Sequence, residues 1–445
     1  VKNKINLVPL IYKAGVFLTL SSIIFGCHSK ANTKPDSNKQ PDSIYQWQRQ
    51  AQDFFNPQDS TRSDILKIII TRADRLLETN ETFSVTFNNS TPPSNDLQDY
   101  TSTGPYWWPN PTTENGLPWI RRDGVINREV RGRDSDSTEL RSFVSSVSTL
   151  AQAYAYTNNE SYAKYAQLLF QVFLFDKDTG MNPNFRYAQA IPGITDGRGI
   201  GIIESRLLIN VLNAHQLLKS SKNYKKYVSA PLSLWISDYL EWLINSPNGI
   251  DESLTHNNHA SFYDYQIAYF SRFVNDQKNL NETINKLYKR RIKNQINPSG
   301  KQPHELNRTR PYHYSVFNLE AFWGLAVIAS DIGKLKLVIG SEEDNQTHLI
   351  VKALDYINQQ QNKLLNISDH TPNSVSRESL IRVNLLAGQI YDKRFTDYAK
   401  TLMLKHNEYD CLLAFPVDIS EDIKPSFTLS NLNNKTERND GLCQL

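Results

Sequence analysis

"STELRSFVSSVSTLAQAYAYT", residues 137–157, repeats its apolar side chains at the intervals of a helix, not of a strand. Leu140, Phe143, Val144, Val147, Leu150, Ala151 and Tyr154 recur at i, i+3, i+4 and i+7, and so share one face. Asp136 with Glu139 three residues on reads as a capping-box-like start. The same period returns near 62–78, 160–175, 201–219, 231–245, 260–274, 280–295, 314–332, 347–361, 377–391 and 394–405, while alternating strand patterns are scarce. "SYAKYAQLL" (161–169) and "RFTDYAKTL" (394–402) each follow a short polar turn, and each reads as the second helix of a hairpin. Repeated antiparallel hairpins predict an all-α protein, either a superhelical array or an α/α toroid. Irregular spacing and long motif-bearing loops favour the toroid, complete or incomplete, whose loops build a cleft at one end.

The flanks read differently. Lys2, Lys4 and Lys13 lead into "AGVFLTLSSIIFGC" (14–27), the pattern of an export signal and too short for a comfortable membrane span. "IFGC" resembles a lipobox, with Cys27 as the lipidated residue; an ordinary signal peptide with a chance cysteine is the alternative. The expectation is a periplasmic or outer-membrane lipoprotein of a Gram-negative bacterium. Residues 28–55 are polar and read as a tether, 56–415 as the toroid and 416–445 as a tail. Cys411 and Cys443 could pair in an oxidising compartment, which spacing alone does not decide. Loss of residues 1–27 removes three lysines and no acids, so the formal charge of +3 falls to zero. A nucleic-acid binder shows a basic surplus, and this chain has none. An anionic ligand would have to be held by a local cluster.

Two long loops are rich in binding groups. "DYTSTGPYWWPNPTTENGLPWIRRDGVINRE" (99–129) is too rich in Pro, Gly and Asn for helix. It offers Tyr106, Trp107, Trp108 and Trp119 beside Arg121 and Arg122, aromatic faces for sugar rings and guanidinium forks for carboxylates. A hydrophobic plug at one end of the toroid is the structural alternative. "MNPNFRYAQAIPGITDGRGIGIIESR" (181–206) supplies Asn182, Asn184, Tyr187, Gln189 and Arg198 as hydrogen-bonding cleft groups, with Glu204 and Arg206 able to pair with each other. Its "GRGIG" lacks the preceding strand and the following lysine of a phosphate loop, which argues against a dinucleotide.

"THNNHASFYDYQ" (255–266) crowds His256, Asn257, Asn258 and His259 onto the start of a helix, where capping accounts for only one of them. "QPHELNRTRPYHYSVFNLEAF" (302–322) is a second polar loop running into a helix, with His304, Arg308, Arg310, Tyr312, His313 and Tyr314. In a toroid built of hairpins alternate helix starts share one rim, so these two sets can face each other, with partial positive charge from both helix ends. His256 and His259 lack the glutamate and third ligand of a zinc hydrolase motif, and no metal or other cofactor is expected.

The sequence resembles the alginate lyase-type polysaccharide lyases, which are α/α toroids. The resemblance rests on "DYTSTGPYWWP", "PWIRRDG", "MNPNFRYAQAIPGITDGRGIGIIE", "SPNGIDE", "NNHASFYD" and "QPHELNRTRPYHYSVFNLEAF", over roughly residues 96–330. It implies that Asn258, His259, Arg308 and Tyr314 are catalytic and that the partner is an anionic uronate polymer. The aromatic and arginine loops are expected to contact that polymer, and His256, Asn257, His304 and Tyr312 are expected either to contact it or to support the residues that do. The chemistry suits those residue types. Cleavage at the 4-linked oxygen removes the weakly acidic C5 proton beside a carboxylate, whose enolate-like charge Asn258, His259 or Arg308 would stabilise. Tyr314 could serve as base and acid on one face of the sugar if a nearby arginine lowers its pKa from about 10. His259 could be the base when the proton lies on the opposite face. Two rivals remain at this level: a glycoside hydrolase, which needs two flanking carboxylates, and a non-catalytic glycan-binding lipoprotein.

Overall fold

The computed structural model describes residues 60–406 except 133, 341–347 and 365–374. The segments read as signal (1–27, with Cys27), tether (28–55) and tail (416–445), together with Cys411 and Cys443, lie outside the described residues. All the described residues belong to one contact unit, Pro41–Leu445.

Each helical run in the sequence is helical over its described residues, although Gln171–Phe175 and Tyr288–Ile292 widen into π-helix and Gly199–Leu207 tightens into 3-10 helix before the α-helix that follows. In order they are α1 (Ser60–Thr79), α2 (Asp136–Thr157), α3 (Glu160–Phe170), α4 (Leu208–Leu218), α5 (Lys222–Asn245), α6 (Pro247–Ser253) and α7 (Asn258–Phe273). Then come α8 (Gln277–Leu287), α9 (Pro303–Leu306), α10 (Pro311–Asp331), α11 (Leu335–Ile339), α12 (Leu349–Leu364), α13 (Arg377–Ile390) and α14 (Lys393–His406). The apolar stripe of α2 is buried as its period requires, with Phe143, Val147, Leu150 and Ala151 all at 0 % exposure. Its start differs from the capping-box reading. Ser135 is the N-cap residue, Asp136 accepts hydrogen bonds from Thr101 N and Asn88 Nδ2 (each 2.7 Å), and Glu139 accepts from Ser84 N (3.1 Å). The two acids therefore satisfy backbone donors of the preceding loop and tie it to the helix. The run near 231–245 also begins earlier, at Lys222, because Ser221 caps that turn and Pro231 is accommodated inside the helix.

Helices α2 and α3, α7 and α8, and α13 and α14 pack as antiparallel hairpins, and two of these second helices carry the paired Tyr-Ala segments. Helices α2, α4, α7, α10 and α13 touch in succession and form the inner wall of an (α/α) toroid, with α3, α5, α8, α12 and α14 outside. Helix α10 is apolar around nearly its whole circumference, and its buried residues run from Tyr314 to Ala329. A helix of that composition belongs inside. Gly324 on α10 is required by close approach: a Cβ there would lie 2.4 Å from the Tyr265 ring of α7.

Four short strands organise the loops. β1 (Thr101–Thr103) pairs in parallel with β4 (Tyr187–Ala190), and β2 (Trp107–Trp108) pairs antiparallel with β3 (Ile120–Arg121). The register sets Trp107 opposite Arg121 and Trp108 opposite Ile120. Because successive strand residues point to opposite faces, the first pair and the second pair face different ways.

Candidate active site

The crowded start of α7 resolves into four separate tasks. Asn257 is the N-cap and accepts from His259 N (3.3 Å). Asn258 is 2 % exposed and donates twice to Glu305, from its backbone N (2.6 Å) and from Nδ2 (2.8 Å). His259 places Nδ1 2.8 Å from Glu252 Oε1. His256 points to solvent. The turn that arranges them is held from behind by Arg291, 3 % exposed, which grips both oxygens of Asp264 and the carbonyls of Ser253 (2.8 Å) and Thr255 (3.3 Å). The "SPNGIDE" segment makes the corner before it. Ser246 caps α6, Pro247 occupies its first turn, and Gly249 passes so near the Leu243 carbonyl that a Cβ would lie 1.8 Å from it.

The second polar loop brings Arg308 and Tyr314 to the same wall. The Arg308 guanidinium lies over the Tyr314 ring, 3.9 Å from its centre, and Nη2 is 3.3 Å from Asp123 Oδ1. The hydroxyls of Tyr314 and Tyr106 are 2.6 Å apart. Burial raises the Tyr314 phenol well above its ordinary value, the Tyr106 hydrogen bond adds to this, and Arg308 pulls the other way without prevailing. The expected arginine is therefore present, but the expected net lowering is reversed: Tyr314 holds its proton in the free protein. Burial likewise raises the Glu305 carboxyl, against the hydrogen bonds from Asn258. Burial alone would raise Asp123, yet its contacts with Arg121 and Arg308 bring it below the usual range.

Asn258, His259, Arg308, Tyr314 and Tyr106 face a cavity of about 870 Å³ between the inner helices and the two loops. Among the described residues seven arginines and three glutamates line it (Glu204, Glu320 and Glu378), so a chain of formal charge only +3 concentrates positive charge where a polyanion would lie. Of the residues expected to bind, Tyr106, Trp107, Arg121, Gln189, Arg198 and Asn257 are on its wall with the four catalytic candidates. Arg198 bonds the Gln189 carbonyl (2.7 Å) and Oε1 (3.1 Å) and lies 5.8 Å from the Trp107 ring centre. Burial, then the charge of Arg121, lowers its pKa to about 10. Gln189 adopts φ 51°, a left-handed conformation uncommon for a side chain of this kind, at the cavity edge.

Other expected contacts lie off this wall. Trp108 and Arg122 turn to the opposite face of the hairpin, the guanidinium 5.1 Å from the indole centre. Asn182 is spent on Asp96 and Asp99 (3.0 and 2.9 Å). Tyr187 belongs to β4 outside the lining, His304 is exposed on α9, and Tyr312 packs against the core. Glu204 pairs with Arg131 and accepts from Tyr100 (2.8 Å) and Ser102 (2.6 Å), whereas Arg206 lies over Phe317, so those two do not pair with each other. The sequence reading left Glu252 and Glu305 without a role. Both sit inside recognised motifs, but a carboxylate aimed inward looks like any helix-surface acid until the partner is known. His256 is exposed and His259 is committed to Glu252; among the described residues no three His, Cys, Asp or Glu side chains converge as for a metal ion.

An α/α toroid with this cationic, tyrosine- and histidine-bearing cavity defines a class of enzymes that work on anionic polysaccharides. The sequence model "Alginate lyase" matches residues 84–363, and the chain belongs to that family. It is a polysaccharide lyase, and the hydrolase and non-catalytic readings give way to that. The crystal structure of an alginate lyase from Bacteroides ovatus is similar over 81 % of this chain and 93 % of that one, with 28 % identity and a TM-score of 0.71. Two tetrasaccharide complexes of variants of alginate lyase A1-III are more distant, at 13 % identity and TM-scores of 0.43 and 0.41. They cover 71 % and 69 % of this chain and 82 % and 79 % of theirs. No curated protein matches.

Proposed function

We propose that this lyase cleaves a 1,4-linked uronan by β-elimination, with alginate as the first substrate and glucuronan or another uronan next. The observation that carries the proposal is the hydroxyl pair of Tyr314 and Tyr106, 2.6 Å apart beneath Arg308, on the wall that also bears His259 and Asn258. Asn258 and Arg308 hold the uronate carboxylate and stabilise the charge that develops when C5 loses its proton. Tyr314, kept as a phenol by burial, donates to the departing 4-oxygen. His259 removes the C5 proton when it lies on the face opposite that oxygen. When both lie on one face Tyr314 must first give up its proton, and bound substrate has to displace the balance toward Arg308. Trp107, Arg121, Gln189 and Arg198 carry the neighbouring sugars. The relative from Bacteroides ovatus, named an alginate lyase, supports alginate. We further propose export of the enzyme and anchoring through Cys27, on the strength of the N-terminal pattern.

Incubation with polymannuronate, polyguluronate, glucuronan and polygalacturonate, followed by ultraviolet absorbance of the new C4=C5 bond, tests this. The expected result is an unsaturated product from at least one polymer, undiminished by chelator. Cleavage without the chromophore would overturn the elimination, and loss of activity restored by a divalent ion would overturn the metal-free scheme.

A further inference from the structure

Glu252 stands out among the buried acids. It is 1 % exposed, Oε1 meets His259 Nδ1 at 2.8 Å, and among the described residues Oε2 has no hydrogen-bond partner. A buried carboxylate with an unsatisfied oxygen is destabilising and calls for an explanation. Glu305, the comparable acid behind Asn258, has both oxygens occupied and reads as a structural clamp. Glu252 is instead held by the tight corner of α6 against one partner, the imidazole of His259, a residue that lines the cavity.

We infer that Glu252 is a positioning residue for the elimination: it holds His259 with the proton on Nδ1, leaving the lone pair of Nε2 toward the substrate. The inference rests on the proposed elimination. When the C5–H bond breaks, the proton passes to Nε2 and its electron pair forms the C4=C5 bond. The C4–O bond breaks, and the leaving oxygen takes the Tyr314 proton. Glu252 gains no proton; its charge stabilises the imidazolium until solvent removes one proton from His259 and returns one to Tyr314. The arrangement has the orienting logic of any carboxylate–histidine base.

Glu252→Gln, Glu252→Asp, His259→Ala and the double variant Glu252→Gln/His259→Ala test it on polyguluronate and polymannuronate. Glu252→Gln is expected to lower kcat by about 10²-fold or more on the polymer for which His259→Ala is damaging, with KM little changed. Glu252→Asp should recover part of the rate, and Glu252→Gln should cost nothing further once His259 is Ala. Additive losses in the double variant would overturn the inference, as would a rise in KM alone. If the Glu252 variants do not fold, imidazole ¹⁵N shifts of the wild-type protein decide, with His259 assigned by the signal lost in His259→Ala. The Nδ1–H tautomer is expected and the Nε2–H tautomer overturns it. A wild-type protein that yields no unsaturated product on any uronan sinks the elimination itself, and is distinguishable because no variant is involved.

Discussion

Deleting one oxygen from Tyr314 separates packing from proton transfer. The residue is 7 % exposed and its ring lies under Arg308, so Tyr314→Phe keeps the core contact and the cation–π contact but removes the hydroxyl facing Tyr106. The variant should melt close to the parent while kcat falls by roughly 10²–10⁴-fold, the usual span for a lost acid–base group. Near-parental turnover on every uronan would strip Tyr314 of its role. The pH dependence carries the same information. Because burial raises the phenol above its ordinary value of 10.0, the acid form persists to higher pH than for a free tyrosine. The alkaline limb of kcat/KM, which reports the free enzyme, should not fall with a midpoint below 10 on account of Tyr314. A limb near 8 that disappears in Tyr314→Phe would contradict this electrostatic reading.

At the scale of single elements the β2–β3 hairpin divides labour between adjacent arginines. Arg121 stands opposite Trp107 on the cavity face, and Arg122 covers Trp108 on the other. Arg121→Ala should raise KM several-fold with a smaller change in kcat, whereas Arg122→Ala should leave both near parental values; equal effects would mean that the hairpin acts as a whole. This split was not legible in the sequence, where "PWIRRDG" shows two neighbouring cations and no strand pattern longer than two residues. Helices were legible because their period is long and repeated. Asn258, His259, Arg308 and Tyr314 were singled out only through motifs, and the buried glutamates beside Asn258 and His259 were not, since a hydrogen bond across 7 or 47 residues leaves no local signal. Helix α10 offers a packing test. Gly324→Ala sets a methyl 2.4 Å from the Tyr265 ring, and overpacking of this kind destabilises by about 1–3 kcal/mol. Denaturant unfolding should show that loss, and adding Tyr265→Leu should relieve part of it. Unchanged stability in Gly324→Ala would mean that Tyr265 yields freely into the lumen.

For the molecule as a whole, stability below neutrality depends on groups of opposite sign. His215, inside the toroid wall on α4, is pushed down to about 4 by burial and then by the Lys219 charge, from an ordinary 6.5. Between those values the unfolded chain takes up a proton that the folded protein refuses. The stability His215 contributes is therefore complete above pH 6.5 and lost as pH falls toward 4. His313, also held at about 4 by burial and Arg310, works in the same direction. Asp136 works against both: burial raises it to about 6 from 3.8, so the folded protein gains stability as pH falls through that range. The wild-type melting curve mixes these terms, but a comparison isolates one. His215→Gln retains a hydrogen-bonding side chain near the Tyr224 hydroxyl (3.2 Å from Nδ1) and removes the titration, leaving Asp136 and His313 in place. The variant should melt below the parent at pH 7, and the gap in Tm should close steadily from pH 6.5 to 4. Melting curves that stay parallel across that interval would show that folded His215 accepts its proton as readily as the unfolded chain does.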